Sequence, residues 1–315
     1  MSFCFEHLLL NNNDLEKYAL NIQNIVINRI KIGALQLMNI GIVGLGLIGG
    51  SIGLKLQSLS HTVYGVTNNN LNTIKAKERK LANFISQDYK ILEHCSIIIL
   101  ALPIKNLINP PPNLLKAIPN KAILTDVGSV KVPIIETWEK YHNLFIGSHP
   151  MAGTEEKGVN AGKLELFDNS KWVITPTDKT DQNALLTLSK LFKDMGCDIF
   201  LENPIIHDQA VANISHLPIY LASCLIETAY CKNNNDLLNL SGKLAATGFS
   251  DTSRVGGGNP MLGIDLAKNN TINILNAIKI FKNNIIEIEK IFEDKNWDLL
   301  EERLKKTKEW RNHFC

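Results

Sequence analysis

Apolar positions along the chain keep one rhythm in the first two thirds and another in the last. From Met38 to about residue 203, short aliphatic and β-branched runs alternate with stretches of helical period. The runs are NIGIVG (39–44), HTVYGVT (61–67), SIIILALP (96–103), AILTDVG (122–128), LFIGSHP (144–150), WVITPT (172–177) and CDIFLE (197–202). Between them, LIGGSIGLKLQSLS (47–60), LNTIKAKERKLA (71–82), a stretch through Leu115 and another from Val132 read as helices. Short apolar strands separated by helices predict a parallel sheet covered on both faces. After residue 203 the strand signals stop, and residues 205–231, 235–247 and 268–293 read as helices. In the last of these, Ile274, Ile278, Phe281, Ile285, Ile288 and Phe292 recur at spacings of four and three. That seam serves either an intrachain core or a dimer interface. Residues 1–37 stand apart: Asn- and Ile-rich, with a weak helix over 14–30, they read as an extension outside the core fold that ends at a second methionine, Met38.

Leu37 to Leu54 is nearly uncharged and about long enough to span a bilayer, but its six glycines favour a strand and turn. Gly44-Leu45-Gly46-Leu47-Ile48-Gly49 follows a strand and opens a helix. That is the setting in which the first glycine allows a tight turn, the second lets backbone approach a pyrophosphate, and the third lets helix pack on strand. Free N–H groups at the helix start then face the phosphates. The chain is therefore expected to hold an α/β Rossmann-type nucleotide-binding domain over residues 38–203, followed by an all-helical domain over 204–315. An NAD site calls for an acid at the end of the second strand. Here that strand ends Thr67-Asn68-Asn69-Asn70, and the first acid after Gly49 is Glu78. Thr67, Asn68 and Asn69 can donate to a 2′-phosphate, with Lys75 or Arg79 adding charge, so NADP is favoured over NAD.

Ligands of open α/β sheets bind at the carboxyl ends of the strands. Those ends carry Leu102-Pro103 beside the nucleotide, Ser129 and Lys131 after AILTDVG, and Ser148-His149-Pro150. A hydroxyl, a lysine and an imidazole thus reach one edge. His149 could be a catalytic group, a metal ligand or a loop end. No partner ligands stand at metal spacing, and catalysis is favoured by its place beside a nucleotide site. In the helical half, ISHLP (214–218) offers Ser215 and His216. Arg254, in the glycine-rich stretch DTSRVGGGNP (251–260), offers a fork for a carboxylate. His207-Asp208 reads as a helix start with an acid in its first turn, and His94 and His142 as surface residues.

Composition narrows the partners. The 315 residues carry a net charge of +2, which gives no reason to expect nucleic acid or an anionic membrane surface. The six cysteines, Cys4, Cys95, Cys197, Cys224, Cys231 and Cys315, include no C-x-x-C pair. Reduced thiols in a cytoplasmic setting are expected, without structural zinc.

Five segments in order, IGIVGLGLIGGS, TDVGSVK, GSHPMAGT, HDQAVANISHLP and DTSRVGGGNP, resemble the prephenate/arogenate dehydrogenases of tyrosine biosynthesis, the cyanobacterial arogenate type above all. The resemblance covers Met38 to about Trp310. It implies a Rossmann domain that binds a nicotinamide cofactor, NADP or NAD, and a helical domain that makes a homodimer, with the active site between them. It implies oxidative decarboxylation of arogenate or prephenate, with His149 as catalytic histidine and Ser129 beside the substrate hydroxyl. Arg254 would bind a substrate carboxylate, and Ser215 and His216 would line the pocket. Several prephenate-preferring members carry a second histidine after the proline of S-H-L-P. Here that position is Ile219, which favours arogenate with NADP. The competing readings are a β-hydroxyacid-dehydrogenase-like reductase and a non-catalytic NADP sensor.

Overall fold

The computed structural model describes residues 37–230 and 234–314. The expected helix over 14–30, and all of the extension except Leu37, lie outside them. The chain divides into two compact units, the first ending at Ala210 and the second starting at Val211.

The first unit is one eight-stranded sheet in the order β3-β2-β1-β4-β5-β6-β7-β8. Its central strands are β1 (Asn39–Val43), β4 (Ile97–Leu100) and β5 (Ile123–Asp126), with β2 (Thr62–Val66) on one side and β6 (Phe145–Pro150) on the other. All four residues of β4 (IIIL) and all six of β6 are buried, as expected of strands covered on both faces. Helix α1 (Leu47–Ser58) follows β1, α2 (Asn70–Glu78) follows β2, α3 (Ile104–Ile108) and α4 (Pro112–Ala117) follow β4, and α5 (Val132–Trp138) follows β5. Residues 39–54, membrane-like in composition, thus form a strand, a turn and the start of a helix.

The sheet differs from expectation in two places. β3 (Phe84–Ser86) pairs with β2, and its three residues are too few to show a period. β6 pairs antiparallel with β7 (Lys171–Thr175), with His149 opposite Val173. The chain between them holds only the short turn Val159–Ala161, not the crossover helix that a parallel return requires. Helix α6 (Gln182–Asp194) then restores parallel pairing between β7 and β8 (Asp198–Leu201). Under it, Trp172 stacks on Phe192 with ring centroids 4.0 Å apart. His142, expected at the surface, is buried because its Nε2 bonds the Ala122 carbonyl at 2.7 Å. His94 is exposed beside Glu93.

The division between the units falls at the last residue of α7 (Pro204–Val211). The second contains a wide π turn at Ala212–His216, α8 (Leu217–Ala229), α9 (Asn235–Leu244), α10 (Thr247–Ser253), α11 (Pro260–Asn269), α12 (Thr271–Glu293) and α13 (Trp297–Arg311). Pro218 lacks the N–H that an α-helix would direct at Ile214, so the backbone widens ahead of it. On α12 the apolar seam splits. Ile274 is buried, Phe281 and Ile288 are half-buried, and Ile285 and Phe292 are exposed.

Candidate active site

Two loops and a strand end at the carboxyl edge of the sheet build the site of the first unit. In the first, Gly44 takes a φ of 97°, a conformation that favours glycine. A Cβ on Gly44 would lie 2.3 Å from the Ala101 carbonyl oxygen, and one on Gly49 would lie 1.9 Å from the Gly44 oxygen. Turn, helix and strand end are thus pressed together. Nothing lies within 4 Å of where a Cβ would stand on Gly46. That opening sits at the N-cap of α1, where the N–H groups of Leu47 and Ile48 lack helical partners, so it suits a pyrophosphate. Leu102 and Pro103 follow β4 after Ala101, and Pro103 stands at the N-cap of α3.

At the end of β2 the side chains are more committed than the sequence suggests. The Thr67 hydroxyl is buried against that of Thr73 at 2.7 Å. Asn69 caps α2 by accepting from the Asn72 N–H, and Asn68 accepts from the Asn72 amide. Arg79, a candidate for phosphate charge, instead donates to the carbonyls of Val159 and Gly162 at 2.8 and 2.7 Å. It ties the segment after His149 to the cofactor-side helices, and the Lys163 N–H adds a bond to Ser51 on α1. Arg79 is therefore withdrawn from the set that could meet a 2′-phosphate.

The second loop, after β5, corrects the expectation for Lys131. Its ammonium is fully buried rather than presented at the edge, 2.5 Å from Asp126 Oδ2 and 2.6 Å from the Ser148 carbonyl. Asp126 also accepts from the N–H groups of Gly128 and Ser148. The Ser148 hydroxyl donates to the Asp126 carbonyl and accepts from Thr125. Burial pushes the Asp126 carboxyl up and the Lys131 ammonium down, each toward its neutral form, and their mutual attraction opposes this. The pair locks the residue before His149 to the neighbouring strand. Ser129 stands half-buried on the same loop, between the two partners.

The third part of the site is the end of β6, which carries His149. The ring is buried, and its Nδ1 lies 2.9 Å from His207 Nε2. His207 Nδ1 lies 2.8 Å from Asp208 Oδ1. Asp208 accepts in addition from the backbone N–H groups of Lys131 and Val132, at 2.7 and 2.9 Å. The reading of His207-Asp208 as an ordinary helix start fails here. Both side chains are buried, and Asp208 is the fifth residue of α7 rather than part of its first turn. Fifty-eight residues separate His207 from His149, so no local pattern joins them. The adjacency of a histidine and an acid was the only signal.

In the second unit, Ser215 and His216 occupy the π turn. Ser215 is half-buried, while His216 is fully buried with its Nδ1 3.2 Å from the Asn270 amide. Arg254 stands not in a loop but at the end of α10, opening a 3₁₀ turn over Arg254–Gly257, and is exposed. Gly256 explains the glycine run: a Cβ there would lie 2.6 Å from the Ala222 carbonyl carbon of α8. Among the described residues no group of His, Cys, Asp and Glu is arranged to hold a metal.

Residues 52–201 match the family described as "Prephenate dehydrogenase, nucleotide-binding domain", and residues 203–306 match "Prephenate dehydrogenase, dimerization domain". Prephenate dehydrogenase of Bacillus subtilis is 28% identical over 283 residues, covering 86% of this chain and 74% of the relative. Cyclohexadienyl dehydrogenase of Zymomonas mobilis is 27% identical over 280 residues, 87% of this chain and 94% of its own. The crystal structure of Synechocystis arogenate dehydrogenase superposes with a TM-score of 0.74 at 36% identity, covering 88% of this chain and all of that one. That of Aquifex aeolicus prephenate dehydrogenase, in complex with hydroxyphenyl propionate and NAD+, gives 0.82 at 26% identity, covering 90% and 100%.

Proposed function

The chain belongs to the prephenate dehydrogenase family, and we propose that within it the enzyme prefers arogenate as substrate and NADP+ as oxidant, with His149 as the base. One observation carries the reading of His149: a buried imidazole at the carboxyl end of β6, its Nδ1 tied down within the protein, on the same sheet edge as the glycine turn. A ring held by Nδ1 directs Nε2 as its base.

The nicotinamide, when bound, supplies the hydride acceptor. Gly44, Gly46 and Gly49, with the N–H groups of Leu47 and Ile48, would hold its pyrophosphate, and Leu102 and Pro103 would border it. His149 Nε2 takes the proton of the ring 4-hydroxyl as the hydride leaves the same carbon. The bond from the ring to its carboxylate then breaks, CO2 departs, and the electron pair completes the aromatic ring. Ser129 orients the hydroxyl, Arg254 clamps a carboxylate of the substrate, and Ser215 and His216 line its pocket. The preference for NADP+ is supported by the absence of an acid at Thr67-Asn68-Asn69, with Lys75 as the nearby charge. The preference for arogenate is supported by Ile219 after the proline of S-H-L-P. We also infer a homodimer made through the second unit, supported by the exposed apolar residues of α12. A cytoplasmic site of action is supported by the free thiols of Cys95, Cys197 and Cys224.

Initial rates with two substrates and two cofactors test this. Arogenate with NADP+ should give the fastest formation of reduced cofactor, with tyrosine and CO2 released in equal amounts. Failure of both arogenate and prephenate to reduce either cofactor would overturn the enzymatic reading. Faster turnover of prephenate, or of NAD+, would overturn the corresponding preference.

A further inference from the structure

We infer that His207 and Asp208 form a positioning relay for His149, fixing which of its nitrogens carries the proton and stabilising the imidazolium that forms during turnover. The inference rests on the reading of His149 as the base and extends it to two residues that never touch substrate. The relay is anchored at Asp208. Its carboxylate receives hydrogen bonds from two backbone N–H groups, those of Lys131 and Val132, so it acts as an acceptor. The short contact from His207 Nδ1 to Asp208 Oδ1 then requires a proton on Nδ1. Neutral His207 must in consequence accept at Nε2. The 2.9 Å contact with His149 Nδ1 is a bond only if His149 donates, and this puts the basic lone pair of His149 on Nε2. Each tautomer follows from the one before it, ending on a carboxylate held by backbone.

The relay also answers an electrostatic need. His149 is buried, and an imidazolium forming there loses most of its hydration. When His149 takes the hydroxyl proton at Nε2, its Nδ1–H bond to His207 becomes charge-assisted, and the second ring passes the polarisation to Asp208. The proton can settle between the rings, because His207 with both nitrogens protonated lies directly against the Asp208 carboxylate. The side chains of His207 and Asp208 are 2% and 4% exposed, so solvent contributes little screening. Val173 lies opposite on β7, and the Asp126–Lys131 pair sits behind Ser148, its two charges opposed. The rings stand nearly perpendicular, at 77°, so the contact is a directed edge rather than a stack.

The test combines kinetics with a readout of the proton itself. His207→Gln keeps an acceptor for His149 but removes the second ring. Turnover should fall about tenfold, and the acid limb of the kcat profile should move to lower pH by about one unit, since the imidazolium loses its carboxylate backing. KM for arogenate and the dissociation constant for NADP+ should stay within about twofold, as a positioning role requires. His207→Leu removes the acceptor as well and should cost about a hundredfold. In ¹⁵N spectra of labelled histidine, wild-type neutral His149 should be the Nδ1–H tautomer, and the Nε2–H form should appear in His207→Leu. Thermal melting checks that both variants are folded, and the tautomer of the wild-type protein needs no variant. Wild-type turnover and an unmoved acid limb in both variants, or an Nε2–H tautomer in the wild type, would overturn the relay. If His149→Asn keeps full turnover, the base reading fails on its own, whatever the spectra show.

Discussion

The two units hold their polar chemistry in opposite ways. In the first, the functional edge of the sheet is underpinned by buried groups that bond one another: Asp126 with Lys131 and Ser148, and His149 with His207 and Asp208. In the second, Arg254 is exposed at the end of a short helix and Ser215 is half-buried in a widened turn. His216, by contrast, is fully enclosed. A base that must keep one tautomer needs a rigid, dry surrounding, whereas a cation that captures a carboxylate from water needs reach. Breaking the buried Asp126–Lys131 pair of the first unit should therefore damage the fold, while substituting the exposed Arg254 of the second should damage binding and leave the fold intact.

The most damaging change should be Lys131→Met, which leaves the Asp126 carboxylate buried without its counterion. Losing one partner of a buried pair costs about 3–5 kcal/mol, so the variant should melt far below the wild type in a calorimetric scan. Replacing both partners, as Asp126→Leu with Lys131→Met, should recover part of the loss. Gly49→Ala ranks next, because its Cβ would drive into the Gly44 carbonyl. NADP+ binding measured by fluorescence quenching should weaken by about thirtyfold, or about 2 kcal/mol. Arg254→Ala should raise KM for arogenate about tenfold, near 1.4 kcal/mol, with kcat and the melting temperature little changed. An unchanged KM would remove its carboxylate role, and a lowered melting point would erase the contrast between the units. The smallest effect belongs to Asn68→Asp. A carboxylate at the end of β2 should weaken NADP+ about fivefold, roughly 1 kcal/mol, while NAD+ binding holds or improves.

What the sequence reveals follows the same division. Strands such as IIIL of β4 announce themselves because both faces are buried, and the glycine turn does so because its backbone geometry demands those residues. The short β3 and the antiparallel return of β7 were not legible, the one too brief for a period and the other set by a connection lacking a crossover helix. Lys131 reads as a lysine delivered to the functional edge, because its position at a strand end says nothing of the direction its side chain takes. Only the contact with Asp126 decides that. His142 reads as exposed for the same reason, its partner being the carbonyl of Ala122 just before β5. His207 and Asp208 carry the largest lesson: their importance lies wholly in a contact made across fifty-eight residues.

The central claim is that a neutral imidazole at His149 takes the hydroxyl proton. The most direct measurement is the pH dependence of kcat for wild type and His149→Asn, with NADP+ affinity determined in parallel. The wild-type rate should fall on the acid side as one group takes up a proton. The variant should be slower by about 10²–10⁴-fold, lack that limb, and bind NADP+ as the wild type does. An acid limb that survives unchanged in the variant, or equal losses in turnover and in cofactor binding, would contradict it.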